Sequence, residues 1–260
     1  KYHGRNVIIL LDEYDVPLEN AYYEGFYTEM IGFIRSLFES ALKTNDALQF
    51  AVITGCLRIS RESIFTGLNH LEINSVLDES FSEGFGFTQQ ETERMLKDYG
   101  LEEKIPEAKE WYNGYVFGEK EIYNPWSIIK YVRSIVISGR KFAEPYWANT
   151  SSNTIIKDLV WNADEEMKRQ LDLLIRCGTI EKEIHEEITY DDVHESEDNL
   201  WSVLLMTGYL TKADPSSEGE DVALRIPNAE IAGIFEQTVM SLFQDTFAVT
   251  GSRSFRRRRW

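Results

Sequence analysis

The chain has 260 residues, 43% of them hydrophobic and 13% aromatic, which is a globular rather than a disordered or fibrous composition. Its 44 acidic residues outweigh 27 basic ones, and the net charge of −17 argues against broad contact with nucleic acid or anionic lipid, both of which bind clustered cations. The longest apolar run, Val7–Leu11, falls far short of the roughly 20 residues of a membrane helix. No charged-then-apolar leader opens the chain, and two cysteines, Cys56 and Cys177, suit a reducing cytosol rather than a disulfide framework, so a soluble cytoplasmic protein is expected.

Val7-Ile8-Ile9-Leu10-Leu11 is continuous and β-branched, the pattern of a strand covered on both faces of a parallel sheet. The stripe Met30, Ile31, Phe33, Ile34, Leu37, Phe38, Ala41 and Leu42 predicts a helix over about 26–42, and Phe50–Thr54 a second strand. Strand, helix, strand makes one right-handed crossover unit, and Leu71–Val76 has the composition of a third short strand. Two or three parallel strands are few for this much apolar surface, so the N-terminal half of the sheet is expected to lie outside the chain.

From about residue 80 the texture is helical. Thr88-Gln89-Gln90-Glu91 is a capping box for a helix that Gly100 closes, and Asn113-Gly114 between aromatic residues predicts a tight hairpin or loop. Asn124-Pro125 reads as an N-cap followed by Pro at the first helical position, with the helix running through Val136. An amphipathic helix follows over 164–176, then a strongly acidic stretch, Glu181–Asp198, whose simplest reading is a solvated, partly ordered segment. Helix Leu200–Thr207, strand Tyr209–Ala213, polar turn Asp214–Asp221, strand Val222–Ile226 and a helix from Ala229 to about Phe243 outline a winged-helix module. Its two helices carry no Lys or Arg, which disfavours a DNA-reading role. Five arginines fall within the last eight residues, after Gly251-Ser252, and predict a disordered tail over 249–260.

The chemistry concentrates where the first strand runs into Asp12-Glu13. The carboxyl end of a parallel strand is where open α/β sheets bind ligands, and adjacent residues at a strand tip point to different sides. In P-loop NTPases such a pair is the Walker-B element: the first acid helps hold Mg²⁺, usually through water, and the second orients or deprotonates the attacking water. Thr54 ends the neighbouring strand with a hydroxyl that could touch a γ-phosphate or that water, and Arg58, shortly after, could neutralise developing charge. The plainer readings stand beside these: strands often end in acids, Asp15 ahead of Pro17 can cap the next segment, Gly55 makes a turn, and Arg58 lies on the surface. No Gly-x-x-x-x-Gly-Lys-[Ser/Thr] occurs, so the chain holds no phosphate cradle. Glu102-Glu103-Lys104 and Glu107-Ala108-Lys109 have the letters of a nuclease Glu-x-Lys but sit in polar, non-strand sequence. His3, His70, His185 and His194 lack zinc spacing, so neither set carries a site.

Ordered blocks of this sequence resemble the bacterial AAA-ATPase-like family: Leu10-Leu11-Asp12-Glu13-Tyr14-Asp15-Val16-Pro17, Thr54-Gly55 with Arg58-Ile59-Ser60, and Glu62–Asn69. The resemblance continues through Gly86-Phe87-Thr88, Trp111–Tyr115, Tyr123–Ile128, Tyr146–Thr150 and Leu205–Leu210, spanning about residues 5–245. It implies a P-loop ATPase region that normally precedes a PD-(D/E)xK nuclease-like domain, with Mg²⁺ and ATP as ligands. Asp12 matches the metal-associated acid, Glu13 the candidate catalytic acid and Thr54 the polar residue of the sensor strand; Arg58 matches more weakly. The implied fold is α/β: residues 1–80 form the C-terminal half of a P-loop-type sheet, 81–160 a helical lid and 161–248 a winged-helix-like module. On this reading the parent protein hydrolyses ATP and the present chain alone does not. The alternative is a non-catalytic protein-binding or regulatory module.

Overall fold

Val7–Leu11 (β1) and Leu48–Ile53 (β2) pair in parallel, with Ile8 opposite Phe50 and Leu10 opposite Val52, in the computed structural model of the chain. The structure describes residues 4–43, 45–57, 64, 65, 68, 70–147, 163–190, 192–194, 196–216 and 221–240. It divides the chain into two units, Lys1–Ser75 with Glu183–Thr207 and Val76–Lys182 with Gly208–Trp260.

In the first unit, Val16–Glu24 (α1) and Tyr27–Leu42 (α2) connect the two strands, giving the crossover that the sequence predicts. Gly25, with φ 81°, ends α1 in the left-handed conformation that a glycine adopts without cost. Tyr27, Ile31, Ile34, Phe38 and Leu42 recur every three or four residues and form the buried stripe of α2. The two faces of the β1–β2 pair differ. Ile9, Leu11, Ala51 and Ile53 are half-buried, whereas Ile8, Leu10, Phe50 and Val52 are between 40 and 73% exposed. Single exposed apolar residues are ordinary; four contiguous ones on one sheet face are not. The expected third strand is absent: Leu71–Val76 forms no ladder among the described residues, since composition alone cannot hold a strand and Asn74-Ser75 favours a turn.

The acidic stretch is more ordered than its composition predicts. Ile188, Thr189, Tyr190 and Val193 are buried, and Thr189 and Asp192 cap one another reciprocally, side chain to backbone amide. Tyr190 packs against Tyr22 and Tyr27, and its backbone N–H donates to the Tyr27 hydroxyl at 3.4 Å. A few apolar residues interspersed among the acids make a second surface of the core. Glu197–Met206, labelled α7 below, completes this unit, with the Ser196 hydroxyl accepting from the Asn199 amide at its N-terminus.

In the second unit, Gln89–Asp98 (α3) opens with the capping box read from the sequence: Thr88 accepts from Glu91 N–H, and Glu91 accepts from Thr88 N–H. Ile105–Tyr112 (α4) leads through Asn113-Gly114 into Tyr115–Phe117 (β3), which pairs antiparallel with Lys120–Ile122 (β4). The hairpin therefore turns at Gly118-Glu119, and Asn113-Gly114 is a helix-to-strand loop. A Cβ at Gly114 would meet the Pro227 carbonyl oxygen at 2.2 Å, so this loop needs glycine for close approach as well as for its φ of 95°. Pro125–Ser138 (α5) is capped by the Asn124 side chain, which accepts from the amides of Trp126 and Ser127.

Tyr112, Tyr123, Tyr131, Ile128 and Leu96 form the fully buried heart of this unit. The Tyr112 hydroxyl donates to the Glu144 carbonyl at 3.0 Å and accepts from the Glu144 amide at 3.1 Å. Glu107 is occupied structurally, accepting from Lys104, the Tyr131 hydroxyl and the Ala143 amide, so the Glu-x-Lys letters here build a packing network. Glu165–Ile175 (α6) is capped by Asp164. Ile180–Glu183 (β5), Asp221–Arg225 (β7) and Thr211–Lys212 (β6) form a three-stranded sheet in the order β5-β7-β6, and residues 229–240 are helical, started by the Asn228 side chain. Strands β6 and β7 and the helix after them come in the order read from the sequence, and residues 217–220 of the expected turn lie outside the described residues. The expected tail, 249–260, lies outside the described residues. No helix among them is long and apolar enough to cross a membrane.

Candidate functional site

The parallel ladder continues one step beyond the strands. Thr54 N–H donates to Leu11 O at 2.8 Å and Tyr14 N–H to Thr54 O at 2.9 Å, so the exits of β1 and β2 are held side by side. Between these bonds lie Asp12 and Glu13, both exposed, at the carboxyl end of the sheet. The Thr54 hydroxyl donates to Asp12 Oδ1 and accepts from the Glu13 amide at 3.2 Å. Glu13 has φ 53°, a left-handed conformation that a non-glycine residue adopts at a cost of about 1–2 kcal/mol. That turn takes the chain off the strand direction immediately after Asp12.

Asp15 holds this corner together. It occupies the N-cap position of α1, but its side chain makes no cap hydrogen bond there. Its Oδ2 instead accepts from the amides of Cys56 and Leu57, at 2.9 and 3.0 Å, tying the start of α1 to the loop that leaves β2. Asp15 is 2% exposed, and its Oδ1 has no hydrogen-bond partner among the described residues. Burial pushes its carboxyl above the ordinary range, against the lowering pull of the Leu57, Asp15 and Cys56 amides. Tyr14 completes the clamp: its hydroxyl donates to Leu57 O at 2.7 Å, and its ring packs on Phe38 and Phe65. A Cβ at Gly55 would lie 2.6 Å from the Tyr14 ring and 2.8 Å from Asp15 Oδ1, so the loop fits against them only as glycine. Desolvation, with the charges of Asp15, Glu13 and Glu19, pushes the Cys56 thiol up to about 11, leaving it protonated at neutral pH and a poor nucleophile.

Of the four residues singled out from the sequence, Asp12, Glu13 and Thr54 come together, and Arg58 lies outside the described residues. The sequence reading missed the task of Asp15. A plain cap and an inter-loop tie look the same in sequence; the one available signal was Gly55 two residues before an apolar Leu57. Among the described residues no three His, Cys, Asp or Glu side chains gather as a metal cluster. His185 is engaged with Asn199 at 2.6 Å and Glu183 at 3.2 Å.

Residues 1–65 match the profile of the AAA-ATPase-like family, described as "Predicted AAA-ATPase". The match covers both strands and every residue of the corner, and it supports an AAA-ATPase-like kinship for this N-terminal segment. The chain is also 33% identical, over 161 residues or 60% of its length, to a protein of Azotobacter chroococcum mcd 1 described as "Uncharacterized protein in vnfD 5'region". It spans only 29% of that relative's length. No solved structure matches the chain.

Proposed function

We propose that this chain carries the metal- and water-facing wall of an ATP-hydrolysing site whose phosphate cradle lies in polypeptide outside these 260 residues. The observation that carries the reading is the corner itself: an exposed acidic pair at the carboxyl end of parallel strands, with Asp12 bonded to the threonine at the tip of the neighbouring strand. The uncovered face of Ile8, Leu10, Phe50 and Val52 supports a further layer of protein packed on this pair, and covering each such side chain would contribute on the order of 1 kcal/mol. The match to residues 1–65 and the much longer relative agree with that division.

The residues present fit Mg²⁺ with ATP. Asp12 and Thr54 offer hard oxygen donors, and one carboxylate with one hydroxyl suits a cation that keeps waters and takes its remaining ligands from phosphate. Bound there, Mg-ATP supplies a transferable phosphoryl group. Asp12 would hold the metal through water, Thr54 fixes the Asp12 carboxylate, and Glu13, turned off the strand, would orient the attacking water and accept its proton. Arg58 would neutralise charge developing on the phosphoryl group. Residues 81–160 act as a helical lid and the C-terminal module as a winged-helix-like packing or regulatory element.

Calorimetric titration with Mg-ATP of this chain, and of a version extended upstream to include a phosphate loop, tests the proposal. Binding by the extended protein alone is the expected result. Tight binding by the present chain refutes the divided site, and silence from both refutes the ATP reading.

A further inference from the structure

The α5 helix is apolar on both sides. Its inner face, with Ile128, Tyr131 and Val132, is buried in the tyrosine core, as expected for a surface helix. At 100° per residue, Trp126, Ile129, Lys130, Arg133, Val136 and Ile137 fall within an arc of roughly 120° on the outer face. The four apolar members of that arc are between 48 and 71% exposed. A helix that is hydrophobic all round is normally covered all round.

The charge pattern of the same segment is equally unusual. Residues 122–143 contain no Asp or Glu, in a chain with 44 of them, yet include Lys130, Arg133, Arg140 and Lys141. Lys130 sits over the Trp126 ring, 4.4 Å from its centre, which places one cation directly on the apolar stripe. The outer face of α5 is thus both greasy and basic on a molecule of net charge −17.

We propose that this face docks an acidic amphipathic helix of a partner polypeptide. The stripe from Trp126 to Ile137 is about three turns long, a straight ridge that suits helix-on-helix packing, and its flanking cations select Asp or Glu beside the partner's apolar residues. A symmetric contact with a second copy would set Lys130 and Arg133 against their own counterparts, which disfavours self-pairing. Trp126 is the one aromatic ring of the stripe and Lys130 already lies over it, while the aliphatic side chains Ile129, Val136 and Ile137 offer nothing for a base to stack on. The overall charge repels phosphate-rich polymers and anionic bilayers alike. This inference is independent of the ATP reading.

The test titrates the purified chain with two labelled peptides of identical leucine spacing, one filled with glutamate and one with lysine, followed by fluorescence anisotropy. Phosphatidylserine vesicles and a single-stranded oligonucleotide are run beside them. The glutamate peptide is expected to bind at least about tenfold more tightly than the lysine peptide. Ile129→Ser with Ile137→Ser should weaken that binding about tenfold. Lys130→Glu with Arg133→Glu should reverse the preference, with the thermal melt unchanged in both variants. Equal affinity for the two peptides, or glutamate-peptide binding that survives both substitutions, overturns the proposal. So does binding of vesicles or oligonucleotide alone that is lost on the same substitutions.

Discussion

Two buried carboxylates, one in each unit, are housed very differently. Glu230 is fully buried, and both its oxygens are satisfied: Oε2 accepts from the Ser127 hydroxyl and Oε1 from the Trp147 amide, each at 2.7 Å. It joins the helix at residues 229–240 to α5 and the chain after it, in a core whose large side chains are covered. Asp15 is almost as deeply buried, yet its Oδ1 has no partner among the described residues, beside a strained Glu13 and a naked sheet face. The second unit also holds buried polar atoms without a partner among the described residues, on Thr92, Asn113 and Gln170, but they sit in three different elements. What sets the first unit apart is that an Asp15 oxygen without a partner among the described residues, a left-handed acid and open apolar surface fall in one place, the combination found where structure serves a ligand or a further piece of protein.

The sharpest way to break the comparison is Glu230→Ala. Removing a buried acceptor and stranding two donors should lower unfolding free energy by about 3 kcal/mol, read by chemical denaturation; a loss below about 1 kcal/mol would mean the second unit does not depend on its satisfied carboxylate. Gly55→Ala comes next. Its Cβ must displace the Tyr14 ring or Asp15, so a loss of about 2 kcal/mol is expected in the same assay. A loss near zero would show that the corner is looser than Asp15 makes it.

Acidity sharpens the contrast further. Burial raises the folded-state pKa of Asp15 and of Glu230, so each folded form holds its proton to higher pH than the unfolded chain does. Their contributions are therefore fully present below the ordinary carboxyl range. They decline as pH rises from there through the raised folded values, the reverse of a salt-bridged carboxylate. Asp15→Asn should flatten its share of that slope and change stability by less than about 1 kcal/mol at low pH, because an amide oxygen can still accept from Cys56 and Leu57. An unchanged slope would place the titrating group elsewhere. The smallest effect has the opposite sign: Glu13→Gly should stabilise the protein by up to about 1 kcal/mol, because glycine adopts φ 53° freely. A residue retained at a cost to stability is what a functional role for Glu13 requires.

Much of this was legible in the sequence where one local rule decides the outcome. The Thr88 capping box and the Asn124 cap form as read. Val7–Leu11 forms a parallel strand but is not covered on both faces, since Ile8 and Leu10 are exposed, and the α2 stripe buries Ile31, Ile34, Phe38 and Leu42 while Phe33 and Leu37 stay exposed. The failures fall where distant contacts decide. Leu71–Val76 has the composition of a strand but gains no ladder, and the acidic stretch around Tyr190 is ordered by Tyr22 and Tyr27, far away in sequence. Asn113-Gly114, by contrast, reads as a tight hairpin or loop and takes the loop form, held between helix and strand by the nearby Pro227 carbonyl and the Asn228 side chain, which donates to Asn113 O. At the candidate site Asp12, Glu13 and Thr54 could be named because strand ends are local. The Asp15 tie could not, because it depends on two amides 41 and 42 residues away.

The central claim is that Asp12 and Glu13 serve a triphosphate held by polypeptide beyond this chain, and ATP turnover by the upstream-extended protein tests it most directly. The account predicts steady phosphate release that Glu13→Gln abolishes while Mg-ATP binding stays within about threefold of the parent. Undiminished release from the Glu13→Gln protein would contradict it.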